Sequence, residues 1–171
     1  MPESKDNELI RDLYRPAIIK LLFVGESAPV SGNFFYKGDS LTSHVQMAFE
    51  KAFKVEFDGH RPFLQCFKAL GCYLDDLSHV PVNGLPDPER EEVLKESVPE
   101  FSDRLNLFNP KAIIVSPMKI KKYIEEAKKA ISLERVETWF LPYPSYNEKN
   151  RSRFVDGLLK ALIHLRQTGE L

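Results

Sequence analysis

The sequence predicts an α/β fold, a three-layer α/β/α sandwich around a central four-stranded, mostly parallel sheet. Three observations carry this expectation. Four short apolar runs recur along the chain, a helix-periodic segment follows each one, and the loops between them are rich in Gly, Pro, Ser and Asn. Strands that alternate with helices bury a parallel sheet between two helical layers, joined by right-handed crossovers. The 171 residues suit one domain over 1–171.

The elements follow in order. Residues 3–14 place Leu9, Ile10 and Leu13 on one stripe, as a short amphipathic helix would, and Pro16 ends it. Residues 18–24 (I-I-K-L-L-F-V), closed by Gly25, read as a strand buried on both faces. A loop over 25–37 leads to a helix over 41–53 carrying Leu41, Val45, Ala48, Phe49 and Ala52. A second helix over 61–70 aligns Phe63, Cys66, Phe67 and Leu70, Gly71 stops it, and 72–77 is the next strand. After the loop 78–87, a helix spans 88–107, with Asp87 as N-cap, Pro88 at the first helical position and Pro99 as a point of kinking or division. Residues 111–115 (K-A-I-I-V) form the third strand, and the helix 119–131 turns Tyr123, Ile124, Ala127 and Ala130 inward. The fourth strand is 136–141, with Trp139 in the core, and a polar loop over 142–149 leads to the closing helix, 151–166.

Composition excludes several classes. Hydrophobic residues at 43% and charged residues at 29% are ordinary for a globular protein and argue against disorder. Twenty-four basic residues against 25 acidic ones, net −1, exclude a strongly basic chromatin protein but not a local basic patch. Cys66 and Cys72 cannot build a disulfide framework and are expected as buried apolar residues. With four scattered His, they miss the common zinc spacings, so no metal is expected. No secretory leader is read at the N-terminus, and the longest apolar run, 18–24, is far shorter than the ~20 residues of a membrane span. The expectation is a cytoplasmic protein with reduced thiols and no membrane association.

In a parallel sheet the ligand sits beyond the carboxyl ends of the strands. Segments 25–37, 76–87, 116–117 and 142–149 leave those ends. The first reads G-E-S-A-P-V-S-G-N-F-F-Y, which is neither a Walker A loop nor G-x-G-x-x-G. It offers Glu26 at a strand end and three aromatics, Phe34, Phe35 and Tyr36. The last reads L-P-Y-P-S-Y-N-E-K-N-R-S-R-F, with Ser145, Asn147 and Asn150 as hydrogen-bonding groups and Lys149, Arg151 and Arg153 at a helix start, where backbone N–H groups favour anions. Plainer readings stand beside these. Glu26 could cap its loop or pair with Lys37, at least one of the three aromatics plugs the core, and Asp75 and Asp76 could be solvated. Tyr143 and Tyr146 could cover a sheet edge. Lys119, Lys121, Lys122, Lys128 and Lys129 read as the solvated face of a helix, and His44 and His79 take no role.

L-L-F-V-G-E-S-A-P followed by F-F-Y, a strand ending in a short acidic loop, and the late P-Y-P-S-x-N-x-x-N-R together resemble the uracil-DNA glycosylase superfamily. That family has a strand ending in a G-[QEI]-x-P motif, a base-stacking aromatic soon after, and a late [HN]-P-S-x loop. The resemblance spans residues 21–154. It implies that Glu26 positions the attacking water, that Phe34 or Phe35 stacks on a flipped base next to Ser27, and that Ser145 holds a phosphate. Tyr146 or Asn147 would then fill the vacated stack, and Asn150 and Arg151 would grip the backbone. Four departures are visible. Tyr143 stands where the family has His or Asn, Pro29 falls one residue late behind Ala28, and Asp76 (or Asp75) replaces a uracil-reading Asn. Two cysteines cannot hold the iron–sulfur cluster of some members. An ionised Asp76 accepts from a ring N–H but repels the uracil O4, and suits an edge richer in donors, such as cytosine. The implied activity is hydrolysis of the N-glycosidic bond of uracil or another damaged base in DNA. Glu26 and Tyr143 would be catalytic, no cofactor would be needed, and the protein would be a monomer with weak DNA affinity. The alternative is a non-catalytic relative that binds a nucleobase or nucleic acid.

Overall fold

The computed structural model describes residues 5–145 and 147–171. The described residues form six α-helices and a four-stranded sheet, ordered α1 (Lys5–Leu13), β1 (Leu21–Ser27), α2 (Ser40–Phe53), α3 (His60–Ala69), β2 (Cys72–Ser78), α4 (Asp87–Phe108), β3 (Ala112–Val115), α5 (Lys121–Ala130), β4 (Glu137–Phe140) and α6 (Glu148–Thr168). The sheet is parallel throughout, in the order β2-β1-β3-β4. From β1 the chain steps outward to β2, then crosses back over β1 to β3. Right-handed crossovers made in opposite directions put their helices on opposite faces. Accordingly α2 packs with α6, and α4 with α5. The row Leu74–Phe23–Ile114 lies across the sheet in register, and Phe23 meets Phe49 of α2 and Phe67 of α3. On the other face Tyr73 meets Phe108 at the end of α4, edge to face, at 5.5 Å. Among the described residues, no helix is long and apolar enough to cross a membrane.

Several local expectations need correction. In α1 two members of the apolar stripe, Leu9 and Leu13, are exposed and Ile10 is partly buried against the core, while Asn7 and Arg11 face in. Arg11 is drawn inward by two buried aspartates. Helix α4 begins at Asp87 itself, with Pro86 as N-cap and no side-chain cap, and it continues through Pro99 as one helix of 22 residues. In α5, Ala130 is exposed and Lys128 is buried. The Lys128 ammonium donates to the carbonyls of Val136 (2.8 Å) and Glu134 (3.3 Å) and to the Thr138 hydroxyl (2.8 Å), which pins the turn into β4. Trp139 is only half-buried, because β4 is an edge strand, and its indole donates to Glu137 at 3.1 Å. Cys72 is buried and Cys66 half-buried, and burial pushes both thiols up.

The opposite edge, β2, is sealed by side chains. All three aromatics of the first loop are buried, and Tyr36 is the one that plugs. Its hydroxyl receives the Leu74 N–H at 2.7 Å and lies 3.0 Å from the Leu74 carbonyl, to which it donates. One hydroxyl thereby satisfies both outward backbone groups of an edge residue, groups that otherwise invite strand pairing. Burial, with the neighbouring Tyr73, holds the phenol well above its ordinary value, so it stays a donor. Tyr14 of the segment after α1 stacks on Tyr36 at 5.2 Å.

Tyr36→Phe keeps the ring and removes the hydroxyl, stranding two buried backbone groups. The expected cost is about 1–3 kcal/mol, read as a lower urea midpoint with unchanged slope.

Candidate functional site

The strand order reverses at β1, so the crevice opens where the connections from β1 and β3 part. A cavity of about 520 Å3 occupies this position, within the usual size range for a small-molecule site. All four segments leaving the strand ends contribute. Gly25, Glu26, Ser27, Phe34 and Phe35 come from the first, Asp76 and Asn83 from the second, Ser116 and Pro117 from the third, and Tyr143 from the last. Two side-chain bonds tie the loops together. Ser27 Oγ accepts the Val82 N–H at 3.1 Å, and Asn83 Oδ1 accepts the Val30 N–H at 3.0 Å. The Ser116 hydroxyl donates to the Pro142 carbonyl at 3.3 Å, joining the third and fourth.

Glu26 is not paired with Lys37, whose ammonium donates to the Gly32 carbonyl. Its partner is Arg90, in the first turns of α4. Arg90 Nε donates to Oε1 at 2.8 Å and Nη2 donates to Oε2, a fork-to-fork pair. Lys119 Nζ stands 3.5 Å from Oε1. The carboxylate is thus held in one plane at the cavity wall, between a strand end and two cations. The hydrogen bond to Glu26 raises the Arg90 guanidinium further above its ordinary value.

Asp75 and Asp76 are buried rather than solvated. Asp76 lines the cavity, and Arg11 Nη2 donates to its Oδ2 at 2.8 Å. Asp75 accepts from Arg104 Nε at 2.8 Å, stands 2.8 Å from His79 Nε2, and lies 3.6 Å from Arg11 Nη1. Burial alone would raise the Asp75 carboxyl. The His79 hydrogen bond and the charges of Arg104 and Arg11 more than offset it, and hold the group well below the ordinary carboxylate range. Gly25 is opposite Asp76 in the β1–β2 register, and a Cβ there would fall 2.2 Å from Asp76 Oδ1. Only glycine lets that carboxylate lie against the end of β1.

Six of the residues singled out from sequence therefore converge on one cavity: Glu26, Ser27, Phe34, Phe35, Asp76 and Tyr143. Ser145, Asn147, Asn150 and Arg151 do not line it, and Tyr146 lies outside the described residues. Asn147 instead caps α6, its side chain accepting the Lys149 N–H at 2.8 Å. Sequence reasoning missed Arg90, Arg11 and Arg104 as partners of the acidic groups. It also assigned Lys119 to a solvated face and gave His79 no role. Arg90 sits in the acidic run Glu89–Glu92, where nothing in the sequence marks it out. Among the described residues, no group of three or more His, Cys, Asp or Glu could hold a metal ion.

The Asp75 carboxyl titrates lower in the folded chain than its ordinary value of 3.8, so its stabilisation is present above that value and is lost as pH falls below it. In urea midpoints between about pH 5 and pH 2, Asp75→Asn should be less stable than wild type at the upper end, because Arg104 and Arg11 each lose one of their anionic partners. It should also show a flatter decline towards acid. Gly25→Ala, which cannot share its space with Asp76, should lower stability by about 1–3 kcal/mol, read by thermal melting.

No family model matches the chain and no curated protein matches it in sequence, so the chemistry of this cavity is argued from its own residues.

Proposed function

We propose that the protein is a DNA glycosylase that hydrolyses the N-glycosidic bond of a damaged base, on a fold like that of the uracil-DNA glycosylase superfamily. One observation carries the reading. Two motifs more than a hundred residues apart, G-E-S-A-P with F-F-Y and the late Y-P-S, deliver Glu26, Phe34, Phe35 and Tyr143 to one cavity at the carboxyl ends of the parallel strands. An enzyme that acts on a base extrudes it from the stack into such a pocket. Here the base would lie against Phe34 and Phe35, with Asp76 at its edge.

The reaction needs water to attack the sugar C1′ as the bond from C1′ to the base nitrogen breaks. A proton of the water leaves towards a carboxylate, and the departing base takes up a proton. Glu26 has the position and the chemistry for the first task. The fork of Arg90 fixes its plane, and a carboxylate offers about four lone-pair sites, so a water can still bind beside the two guanidinium bonds. The negative charge also faces the positive charge that develops on the sugar. Tyr143 is 42% exposed, at the cavity mouth, where its phenol can donate to the leaving base. Ser145, Asn147, Asn150 and Arg151 lie where β4 passes into α6, and their proposed work is on the DNA backbone, with Tyr146 or Asn147 as the wedge. The protein acts as a monomer without a cofactor.

A second reading, a nucleobase- or nucleic-acid-binding protein without hydrolytic activity, is favoured by a separate observation. Arg90 and Lys119 put three N–H groups around the carboxylate that must also hold water.

Oligonucleotides carrying uracil, hypoxanthine, xanthine, 8-oxoguanine or mismatched cytosine, incubated with protein and then treated with alkali, separate the two. Strand cleavage with at least one base is expected, and Glu26→Gln should slow it by about 100-fold or more while leaving DNA affinity in place. Salt-sensitive DNA binding without cleavage would select the second reading, and loss of both would remove DNA as the partner.

A further inference from the structure

We propose, resting on the glycosylase reading, that Lys119 is a nucleophile which attacks the base-free sugar and cuts the DNA strand beside it, a lyase activity in the same cavity. The inference comes from what meets the Glu26 carboxylate. Lys119 lies in a short 3-10 turn, Met118–Ile120, after β3, and the buried Ile120 anchors that turn. Lys119 is exposed and lines the cavity, and its Nζ stands 3.5 Å from Glu26 Oε1. Arg90 Nε donates to that same oxygen at 2.8 Å. Two cations thus share one carboxylate. Only one of them can lose its proton, since arginine keeps its own. DNA laid across the mouth would strip water from the ammonium, and a second positive charge beside it then favours the neutral amine. A primary amine next to a carboxylate, at the wall of a base-sized cavity, is the pair of groups that imine chemistry on a sugar needs. Among the described residues lining the cavity, Lys119 is the one lysine. Lys121 and Lys122 turn elsewhere, to Glu125 at 3.6 Å and to Glu91 at 3.9 Å.

The steps balance with water and protons alone. Loss of the base leaves a sugar whose ring-opened form carries an aldehyde at C1′. The neutral Lys119 amine adds to that carbon, forming a bond from Nζ to C1′. The carbonyl oxygen leaves as water, taking one proton from the amine and one from solvent, and a protonated imine remains. Its positive charge acidifies the C2′–H bonds. Glu26, its work on water done, takes a C2′ proton. The electron pair of that bond becomes the double bond between C2′ and C3′. The C3′–O bond breaks, and its pair leaves with the phosphate. Water then hydrolyses the imine and returns the amine.

The test uses the full chain and a labelled duplex that already carries an abasic site, so that no base has to be released. Protein and duplex are incubated with borohydride, which reduces an imine to a stable amine. Wild type should give a covalent protein–DNA adduct on a denaturing gel, and peptide mapping should place it on Lys119. Without borohydride, the strand should be cut before any alkali is added. Lys119→Arg keeps the positive charge but cannot form the imine, and should lose both the adduct and the cut. The mapped position in wild type decides the matter if that variant does not fold. An adduct mapped to another amine, or one undiminished in Lys119→Arg, overturns the inference. Release of a damaged base with no adduct on the abasic duplex also overturns it, and leaves the glycosylase reading standing. An adduct on Lys119 with no release of any damaged base supports the lyase and overturns the glycosylase reading, making an abasic site formed by another enzyme the substrate. Absence of both adduct and base release overturns both.

Discussion

Asp75 and Asp76 stand side by side near the end of an edge strand, both out of water, and each is met by a guanidinium. A carboxylate in that setting is costly unless it is paired and hydrogen-bonded, and much of the neighbouring structure answers that cost. Arg11 turns α1 so that its polar side faces the protein and its leucines face solvent. Arg104 brings α4 against β2, and its Nη2 also donates to the Asp76 carbonyl at 2.7 Å. His79 closes the remaining side of Asp75. With Tyr36 on Leu74, these groups cover the β2 edge from the middle of the strand to its end.

The cavity is the other product of this arrangement. Its floor is the end of β1, kept bare at Gly25 so that the Asp76 carboxylate can lie across it. Its walls come from loops anchored by short polar bonds, Ser27 to Val82 and Asn83 to Val30. Two acids line it, and each is clamped by an arginine from a different helix, Asp76 by α1 and Glu26 by α4. The pocket therefore holds fixed negative charge among aromatic walls.

The strand and helix alternation was legible because β-branched runs such as A-I-I-V have few other uses, and the rule for parallel sheets then located the loops that line the cavity. The failures share a cause. Leu9, Ile10 and Leu13 make an apolar stripe in sequence, yet only Ile10 packs against the core, and the buried Arg11 of α1 answers a pair of acids that no local pattern in α1 can reveal. Lys128 looks like its neighbours Lys121 and Lys122, but its reach to three oxygens at the start of β4 takes it inside. Arg90 lies hidden in an acidic helix start. Asn147 carries the composition of a contact loop, and the structure uses it to close the first turn of α6. Propensity reads an element's exposed and buried faces correctly when the partner is apolar, and misreads them when the partner is a charge.

The clamps on the two acids also reach far along the chain. Arg11 and Asp76 are 65 residues apart, and Glu26 and Arg90 are 64 apart. Closing such distances costs loop entropy before any contact is made. Each clamp makes the order of the cavity wall depend on a helix distant in sequence, so that fraying of α1 would loosen Asp76, and fraying at the start of α4 would loosen Glu26.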